Sequence, residues 1–238
     1  AQSALEKLAQ VLGPKGFTTD ESDIAPWTSD WRGLYHGKAA ALLSPASTAQ
    51  VQEVLRIASA EGLRVVPQGG NTSMVGGATP DASGDMLILS TRRMNGIRAL
   101  DPDANLVIAE AGVILANLHE AVREKGRRFP LTLGARGSAT VGGLVSTNAG
   151  GTQVLRFGTM RKLVLGIEAV LPDGALYEGL AALKKDNRGY DLTQLLIAAE
   201  GTLGVITAAS LHLVPDVIDR AVAWVGVDSP DQALALLR

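Results

Sequence analysis

Two glycine-rich segments hold the residues whose types and spacing best suit the binding of an anion. The first, PQGGNTSMVGG, spans 67–77 and follows a predicted strand over 63–67. It contains two glycine pairs separated by short polar side chains: Gly69-Gly70, Asn71, Thr72, Ser73 and Gly76-Gly77. Glycine permits positive φ and carries no side chain, so successive main-chain N–H groups can converge on an anion. A single glycine pair is more often an ordinary turn, so the prediction depends on the rest of the chain.

A second cluster repeats this pattern. LGARGSATVGGLVSTNAGG, residues 133–151, again mixes glycine with serine, threonine and asparagine. Two such clusters suit a ligand with two phosphates, or a ligand long enough to run between two sub-domains. A third glycine-bearing turn, AAEGTLGVIT at 198–207, lies between a predicted helix and a predicted strand. Main-chain groups at the edge of that strand could form hydrogen bonds with a flat heterocycle.

The common nucleotide-binding motifs are absent from the sequence. No G-x-G-x-x-G occurs. The first cluster leads through a turn to another strand, whereas a Rossmann site requires a helix at that point. No G-x-x-x-x-G-K-[ST] occurs either, which argues against an ATPase phosphate loop.

The overall composition excludes several classes of protein. The 238 residues carry a net charge of −2, so there is no basic field for nucleic acid or an anionic membrane. Cysteine is absent, which excludes disulfides, thiolate metal sites and a cysteine nucleophile. No apolar run reaches the roughly 18 residues that a membrane-spanning helix needs. The hydrophobic content of 46% is ordinary for a globular protein, whereas 27 glycines are more than usual.

Hydrophobic periodicity and turn residues predict alternating helices and strands, with more strands after about residue 95. Ser47 should cap a helix that ends at Gly62, and strands over 39–43 and 63–67 complete a βαβ unit. The other predicted strands are 86–90, 97–100, 106–110, 163–171, one near Leu176, 205–214 and 220–227. The other predicted helices are 3–12, 115–125, 141–147, 192–199 and one that begins at Ser229-Pro230.

Several segments, in order along the chain, resemble the signatures of a known family: PQGGNTSMVGGATPDASG, GSATVGGLVSTNAGGTQVLRFG, VLPDG, KKDNRGYDL and AAEGTLGVIT. They are similar to the FAD-binding domain of the vanillyl-alcohol oxidase/p-cresol methylhydroxylase (PCMH) superfamily. The branch is that of D-2-hydroxyglutarate dehydrogenase, D-lactate dehydrogenase and the FAD subunit of glycolate oxidase. The resemblance covers residues 30–215 and implies an α+β fold of the PCMH type, with two α/β sub-domains and FAD between them.

This resemblance and the change in strand content divide the chain into four parts. Residues 1–38 form an N-terminal helix and loop. Residues 39–95 and 96–215 form the two FAD-binding sub-domains. Residues 216–238 are predicted to be the start of a truncated C-terminal substrate domain.

The resemblance also implies which residues bind the cofactor. In the family, main-chain N–H groups of the first cluster wrap the FAD diphosphate, and the second cluster lines the flavin and the ribityl chain. The third turn lies beside the adenine end or the ribityl region. The residues assigned to cofactor binding here are Pro67, Gly69, Gly70, Asn71, Thr72, Ser73, Gly76, Gly77, Pro130, Gly134, Ser138, Thr140, Gly142, Gly143, Asn148, Gly150, Arg156, Glu200, Gly204, Val205 and Ile206.

The chain departs from the family pattern at a few positions. Ser73 stands where glycine is common, Arg136 where an acidic residue is usual, and Leu144 where asparagine is common. Some relatives tether the flavin to a histidine in the first loop. Asn71 and Ser73 occupy that stretch here and the chain has no cysteine, so non-covalent FAD is expected.

Other polar and aromatic residues have simpler interpretations. His36, His119 and His212 are predicted to be structural or solvated, because single histidines are common outside sites. Trp27 and Trp31 are expected to pack the N-terminal segment, with a place at the substrate mouth as the alternative. Residues 184–186 are predicted to form a solvated turn. Arg156 could face phosphate or flavin, and the alternative for it is a surface ion pair.

The expected function is the FAD-binding part of a dehydrogenase that oxidises a D-2-hydroxy acid by hydride transfer to flavin N5. The catalytic base is expected outside this chain, so no residue is assigned to catalysis and none to a metal. Two alternatives stay open: an FAD-holding electron-transfer subunit without its own substrate site, and a flavin reductase of the same fold. The expected partners are a small 2-hydroxy acid and an electron acceptor of unknown identity. A homodimer is allowed, and the expected location is cytoplasmic or peripheral to the inner membrane.

Overall fold

The structure is a computed structural model that describes residues 2–183 and 185–237. The strands of these residues are β1 (Phe17–Thr18), β2 (Ala41–Leu43), β3 (Val65–Gln68), β4 (Leu87–Ser90), β5 (Ile97–Asp101), β6 (Leu106–Glu110), β7 (Arg127–Arg128), β8 (Val164–Val170), β9 (Leu176–Gly179), β10 (Val205–His212) and β11 (Val214–Pro215). Their α-helices are α1 (Gln2–Leu12), α2 (Glu21–Ile24), α3 (Thr48–Ala60), α4 (Leu115–Arg123), α5 (Val141–Ser146), α6 (Val154–Phe157), α7 (Met160–Leu163), α8 (Thr193–Leu196) and α9 (Pro230–Leu236). A short 3₁₀ helix, Ala25–Trp27, follows α2.

The first sheet has four strands in the order β1-β2-β4-β3. Strands β2 and β3 both run parallel to the central strand β4, and β1 is antiparallel at one edge. The predicted βαβ unit is therefore confirmed, with β4 inserted between its two strands. Because β3 and β4 are parallel and in register from Val65 with Leu87 to Gln68 with Ser90, their carboxyl ends meet at one edge of the sheet.

Helix α3 forms where the sequence places its signals. The Ser47 hydroxyl caps the helix by accepting from the Gln50 N–H at 3.3 Å. The buried face consists of Val51, Val54, Leu55 and Ala58, whose spacing repeats every three or four residues. This face packs with Leu8 of α1 and with the first sheet in one hydrophobic cluster.

The second sheet has five antiparallel strands in the order β5-β6-β10-β8-β9. Strand β10 lies at the centre and is buried along almost its whole length, from Val205 to Leu211. Helices α4, α5, α7 and α8 contribute to the core on this sheet, with Phe129 and Met160 among its largest buried side chains. Strands β7 and β11 pair separately as a two-stranded ribbon.

The two sheets belong to one continuous packing arrangement. The core of the first sheet includes Ala111, Val170 and Val205 from the elements around the second sheet. The predicted fold class is confirmed as an α+β fold with two α/β sub-domains, referred to below as sub-domain 1 (the first sheet and α3) and sub-domain 2 (the second sheet and α4–α8). Their contact is apolar and shared, so each sub-domain helps to position the loops of the other.

The predicted strand over 220–227 is wrong. The structure has no regular element in this segment, and its apolar side chains Val222 and Trp224 are exposed. A strand requires the backbone groups of a partner, and none of the described strands pairs with this segment. The helix predicted after it is confirmed as α9, where the Ser229 hydroxyl accepts from the Gln232 N–H at 3.3 Å.

Of the turn predicted over 184–186, Lys184 lies outside the described residues, and Lys185 and Asp186 are exposed. No helix within 2–183 and 185–237 has the length and apolar character needed to cross a membrane.

A network of hydrogen-bonded polar side chains connects the two sub-domains. The Glu168 carboxylate of β8 accepts from the Thr48 hydroxyl of α3 at 2.6 Å and from the Thr207 hydroxyl of β10 at 2.7 Å. It also accepts from the Arg98 guanidinium of β5 at 3.0 Å, and Arg98 donates in addition to Glu110 at 3.2 Å. Burial alone raises the pKa of Glu168, but hydrogen bonds from Arg98, Thr48 and Thr207 outweigh it, so the pKa is lowered overall.

We expect Glu168→Gln to lower the free energy of unfolding at pH 7 by about 1–3 kcal/mol, because the partners of the carboxylate lose a charged acceptor. Because the pKa of Glu168 is lower in the folded state than its ordinary value of 4.5, the ionised carboxylate stabilises the fold at pH values above 4.5. This stabilisation is lost as the pH falls through the pKa that Glu168 has in the folded protein. The difference in the free energy of unfolding between the unchanged chain and Glu168→Gln should therefore become smaller in acid. Urea unfolding from pH 7 to pH 3.5 measures it, with Glu120→Gln on the exposed face of α4 as the control.

Candidate cofactor-binding site

A cleft of about 480 Å³ lies between the two sub-domains. Its volume is within the range of small-molecule and cofactor sites. The walls are the loop after β3, the segment that leads into α5, and the turn that precedes β10. The cleft brings together most of the residues that the sequence assigns to cofactor binding: Pro67, Gly69, Gly70, Asn71, Thr72, Ser73, Gly77, Thr140, Gly142, Gly143, Gly150, Glu200, Gly204, Val205 and Ile206.

The two glycine clusters contact each other because Gly69 and Gly70 carry no side chains at the contact. A Cβ at Gly70 would lie 2.0 Å from the carbonyl oxygen of Ser138, a distance that no folded protein accommodates without a shift. A Cβ at Gly69 would lie 2.3 Å from the Thr140 hydroxyl oxygen. Gly142 lies against a different segment, since a Cβ there would lie 2.7 Å from the methyl of Ala111, the residue after β6. The glycines therefore let the two loops approach until they form opposite walls of one cleft.

Left-handed backbone conformations occur at two non-glycine residues of the walls. Asn71 has φ 53° and Glu200 has φ 50°, which are uncommon values outside glycine. The Asn71 conformation is supported by its side-chain amide, which donates to the Ser29 carbonyl at 2.8 Å. At Glu200 the main-chain N–H donates to the Ser146 carbonyl at 2.9 Å. Strained positions of this kind cluster at ligand sites, where the surrounding structure holds them.

An N-terminal strap, residues 27–36, braces the first glycine loop from outside the cleft. Gln68 donates to the Trp27 carbonyl at 3.0 Å, Asn71 donates to Ser29, and the Arg32 guanidinium donates to the Met74 carbonyl. These three bonds reach three separate points of the loop. The strap therefore determines where the loop lies, a role that the sequence did not reveal.

The strap is organised around the buried carboxylate of Asp30. One oxygen, Oδ1, accepts from the main-chain N–H groups of Leu34 at 2.7 Å and Tyr35 at 2.8 Å. The hydrogen bond from the Tyr35 N–H is the main reason that the pKa of Asp30 is lowered. The Tyr35 ring in turn packs against Gly76, where a Cβ would lie 2.8 Å from it.

The assigned residues that do not line the cleft lie in other surroundings. The Ser138 carbonyl contacts Gly70, as described above, and Gly76 packs on Tyr35. Pro130 is buried, and the position of a Cβ on Gly134 is open on all sides. Asn148 accepts through its side chain from the Arg161 N–H at 2.9 Å. Arg156 lies in a different depression, next to Phe157.

The histidines and tryptophans lie outside the walls of the cleft. The His36 ring is hydrogen-bonded to the Gly33 carbonyl at 2.9 Å. The His119 ring is bonded to the Leu131 carbonyl at 3.0 Å, and burial lowers its pKa. Trp27 belongs to the strap and carries the Arg92 guanidinium 4.5 Å above its ring, whereas Trp31 is exposed.

Three buried polar atoms of the cleft residues have no hydrogen-bond partner among the described residues: Gln68 Oε1, Thr91 Oγ1 and Thr140 Oγ1. A buried polar atom without a partner costs free energy, and native proteins rarely leave one unless a ligand or water satisfies it. Three such atoms among the residues of one cleft suit a ligand with several polar groups.

Much of the remaining lining is apolar, and nearly all of it is uncharged. Leu133, Ala135 and Leu144 line the cleft, which suits a flat ring, and the loop over 69–73 offers main-chain N–H groups for phosphate. Glu200 is the one charged residue among the described cleft residues. These groups match the parts of FAD, which combines a diphosphate, hydroxyl groups and a large aromatic ring system. The residues present therefore fit that cofactor.

Sequence reasoning missed several cleft residues. Leu133, Ala135, Ala139 and Ala149 carry no local signal of binding. Thr91 could have been found, because it follows β4 and parallel neighbouring strands bring their carboxyl ends to one edge of a sheet.

The fold and the cleft together define a class of protein: an α+β domain of two sub-domains whose glycine-rich loops enclose a neutral site of cofactor size. Comparison with known families agrees with this class. Residues 39–179, more than half of the chain, match the family described as FAD binding domain. The chain belongs to this family, and the resemblance seen in the sequence is confirmed.

Curated proteins of known name are similar over nearly the whole chain. The chain is 43% identical to the mitochondrial D-2-hydroxyglutarate dehydrogenase of Bos taurus, covering 100% of this chain and 43% of that protein. It is 44% identical to the corresponding protein of Danio rerio, covering 94% of this chain and 42% of the relative. A Schizosaccharomyces pombe protein, named provisionally as a mitochondrial D-lactate dehydrogenase, is 43% identical over 98% of this chain and 44% of its own length. The chain thus spans less than half the length of these relatives.

A solved structure of alkyldihydroxyacetonephosphate synthase has the same fold. Its TM-score is 0.79 at 20% sequence identity, over 90% of this chain and 40% of that chain. At this identity the likeness concerns the fold alone. The mitochondrial location belongs to the names of the curated relatives, and the cytoplasmic location expected from the sequence stays a prediction.

Proposed function

We propose that the chain binds FAD non-covalently in the cleft and is the FAD-binding part of a dehydrogenase that oxidises a D-2-hydroxy acid. The observation that carries this proposal is the set of three unpartnered buried polar atoms in a glycine-walled cleft, within a member of the FAD binding domain family. The substrate class is supported by the names of the relatives, which are D-2-hydroxyglutarate and D-lactate dehydrogenases.

Each wall of the cleft has a distinct role in this proposal. The main-chain N–H groups of residues 69–73 would hold the diphosphate, with the hydroxyl of Thr140 opposite them. Leu133 and Leu144 would flank the ring system and exclude water from it. Glu200, which only accepts hydrogen bonds when ionised, would bind hydroxyl groups of the cofactor. Bound FAD supplies the two-electron acceptor for removal of a hydride from the substrate.

Two features support non-covalent binding. The sequence has no cysteine, and the cleft residues that the structure describes include no histidine or tyrosine to which a flavin could be attached. Glu200 is the only titratable side chain among those residues, so the catalytic base is not assigned to this chain. The electron acceptor also stays unassigned.

The cofactor is tested by purifying the chain, recording its visible spectrum, and precipitating it with acid. We expect flavin bands that move completely into the supernatant, where chromatography identifies FAD. Flavin that stays with the precipitate, or FMN in the supernatant, contradicts the proposal. The reaction is tested on the natural gene product that carries this chain, by mixing it without oxygen with D-2-hydroxyglutarate, D-lactate and their L-enantiomers. Bleaching of the flavin by D-enantiomers is expected, and bleaching by none of the acids contradicts the assigned reaction.

The strap makes a separate prediction about cofactor binding. Asp30→Ala removes the acceptor for Leu34 and Tyr35, so the strap and the loop it braces should lose their preorganised positions. We expect FAD to bind roughly tenfold more weakly, on the scale of one or two lost hydrogen bonds to a charged group. Fluorescence titration measures the dissociation constant.

Asp30→Asn is the matched control, because its amide oxygen can still accept from both N–H groups. It should bind FAD within about threefold of the unchanged chain, as expected when only the charge of the acceptor is lost. If the alanine variant binds FAD as tightly as the asparagine variant, the strap does not position the loop.

A further inference from the structure

A second depression, of about 420 Å³, opens beside the cleft and contains three arginines. Arg128 comes from β7, Arg156 from α6, and Arg220 from the irregular segment after β11. Thr152, which also lines this depression, is two residues from Gly150 in the wall of the cleft. Two residues span at most about 7 Å, so the two sites are neighbours that share a stretch of main chain.

Three positive charges line this depression, and two of them contact the same aromatic ring. The guanidinium carbons of Arg128 and Arg156 lie 5.3 and 5.1 Å from the centre of the same ring, that of Phe157. Neither they nor Arg220 form an ion pair within residues 2–183 and 185–237. Asp216 and Asp219, which are close to Arg220 in the sequence, pair with none of the three arginines. Like charges held together repel each other, and an anion bound between them would relieve that repulsion.

Two buried polar atoms of the same depression have no partner among the described residues. One is the Arg128 Nε–H, which is a donor, and the other is Gln153 Oε1, which is an acceptor. They are not bonded to each other. A ligand that satisfies both must present an acceptor to the arginine and a donor to the glutamine. A carboxylate and a hydroxyl on one small molecule provide this combination.

We propose that this depression is a second ligand site, which binds a small polyanion that carries at least two carboxylates and one hydroxyl group. The carboxylates bind Arg128 and Arg156, with Arg220 closing the open side. The hydroxyl donates to Gln153. This site is separate from the cofactor cleft, and its existence does not depend on the function proposed for the cleft.

The charge requirement is tested by calorimetric titration of citrate into the chain at low ionic strength. Citrate should bind saturably with one site per chain. Arg128→Gln and Arg156→Gln should each weaken binding by at least about tenfold, the loss expected for a hydrogen bond to a charged group. Arg123→Gln is the matched control, since Arg123 is an exposed arginine on α4 that does not line the depression, and it should leave the affinity unchanged within about twofold.

The hydroxyl requirement is tested with tricarballylate, which has the same three carboxylates as citrate and no hydroxyl. Citrate should bind the chain more tightly than tricarballylate, by about fivefold on the scale of one hydrogen bond. Gln153→Leu should abolish this preference and keep the affinity for tricarballylate.

Three results would overturn the second site: no saturable binding of citrate, an equal loss in Arg123→Gln and Arg128→Gln, or an unchanged preference in Gln153→Leu. FAD affinity, measured on the same variants, separates this test from that of the cleft. Arg128→Gln should keep its affinity for FAD whether or not it binds citrate.

Discussion

Replacing Gly70 with alanine should weaken FAD binding by roughly 10- to 100-fold, the range that corresponds to the cost of one overpacked contact. The added methyl group would lie 2.0 Å from the Ser138 carbonyl oxygen, which belongs to the main chain and has no side-chain rotamer to give way. The two glycine loops must then move apart. Because the cleft consists of the space between these loops, its walls can no longer contact the same cofactor from both sides.

Gly137→Ala is the matched control for this effect. Gly137 lies in the second glycine cluster, does not line the cleft, and a Cβ there has no atom within 4 Å. The variant should bind FAD within about twofold of the unchanged chain, as is usual for a substitution that meets no neighbour. Fluorescence titration of both variants, with thermal unfolding to verify that each is folded, decides the matter. Equal affinities in a folded Gly70→Ala and in Gly137→Ala would show that close contact between the loops is not required.

Thr140→Val should weaken FAD binding by about tenfold and leave the flavin-free chain at least as stable as before. The Thr140 hydroxyl is buried and lacks a partner among the described residues, so in the absence of ligand it contributes only the cost of its burial. Valine has nearly the same shape and no polar atom. The substitution removes this cost from the ligand-free protein and removes a hydrogen bond from the complex, so the two effects have opposite signs.

Thr207→Val is the comparison variant, for which we expect the opposite pair of effects. Thr207 is equally buried, but its hydroxyl donates to the Glu168 carboxylate at 2.7 Å and its side chain does not line the cleft. This variant should lose about 1.5–3 kcal/mol of stability, the range for a hydrogen bond to a charged group, and keep its affinity for FAD. Urea unfolding and FAD titration of the two variants measure all four quantities. If Thr140→Val destabilises the flavin-free chain as much as Thr207→Val does, the Thr140 hydroxyl already has a partner and the account of the cleft is wrong.

Much of the fold could be predicted because its signals are local. The Ser47 cap, the apolar face of α3 and the glycine after it predict a helix within a βαβ unit, and the structure contains that unit. The hairpin of β5 and β6 was predicted from a turn that lies between two short apolar runs. The same local reasoning failed over 220–227, since alternating apolar residues describe a strand only where a partner strand exists.

The sequence predicts the parts of the candidate site that the glycine clusters form. Glycine clusters indicate close approach of main chains, and Gly70 and Gly142 do approach the main chains of Ser138 and Ala111. The strap was not predictable, because the bonds from Gln68 and Asn71 to Trp27 and Ser29 join segments about 40 residues apart. Nor does the sequence indicate that Arg156 lies with Arg128 and Arg220 in a separate depression.

The central claim is that one cleft contacts both halves of FAD at once. The most direct test is a calorimetric titration of FAD, ADP and riboflavin into flavin-free chain. The account predicts one FAD per chain, with an affinity at least 100-fold higher than that of ADP or riboflavin alone, because the linked halves use both walls together. If FAD binds no more tightly than the better of its two halves, only one wall contacts the cofactor and the claim is contradicted.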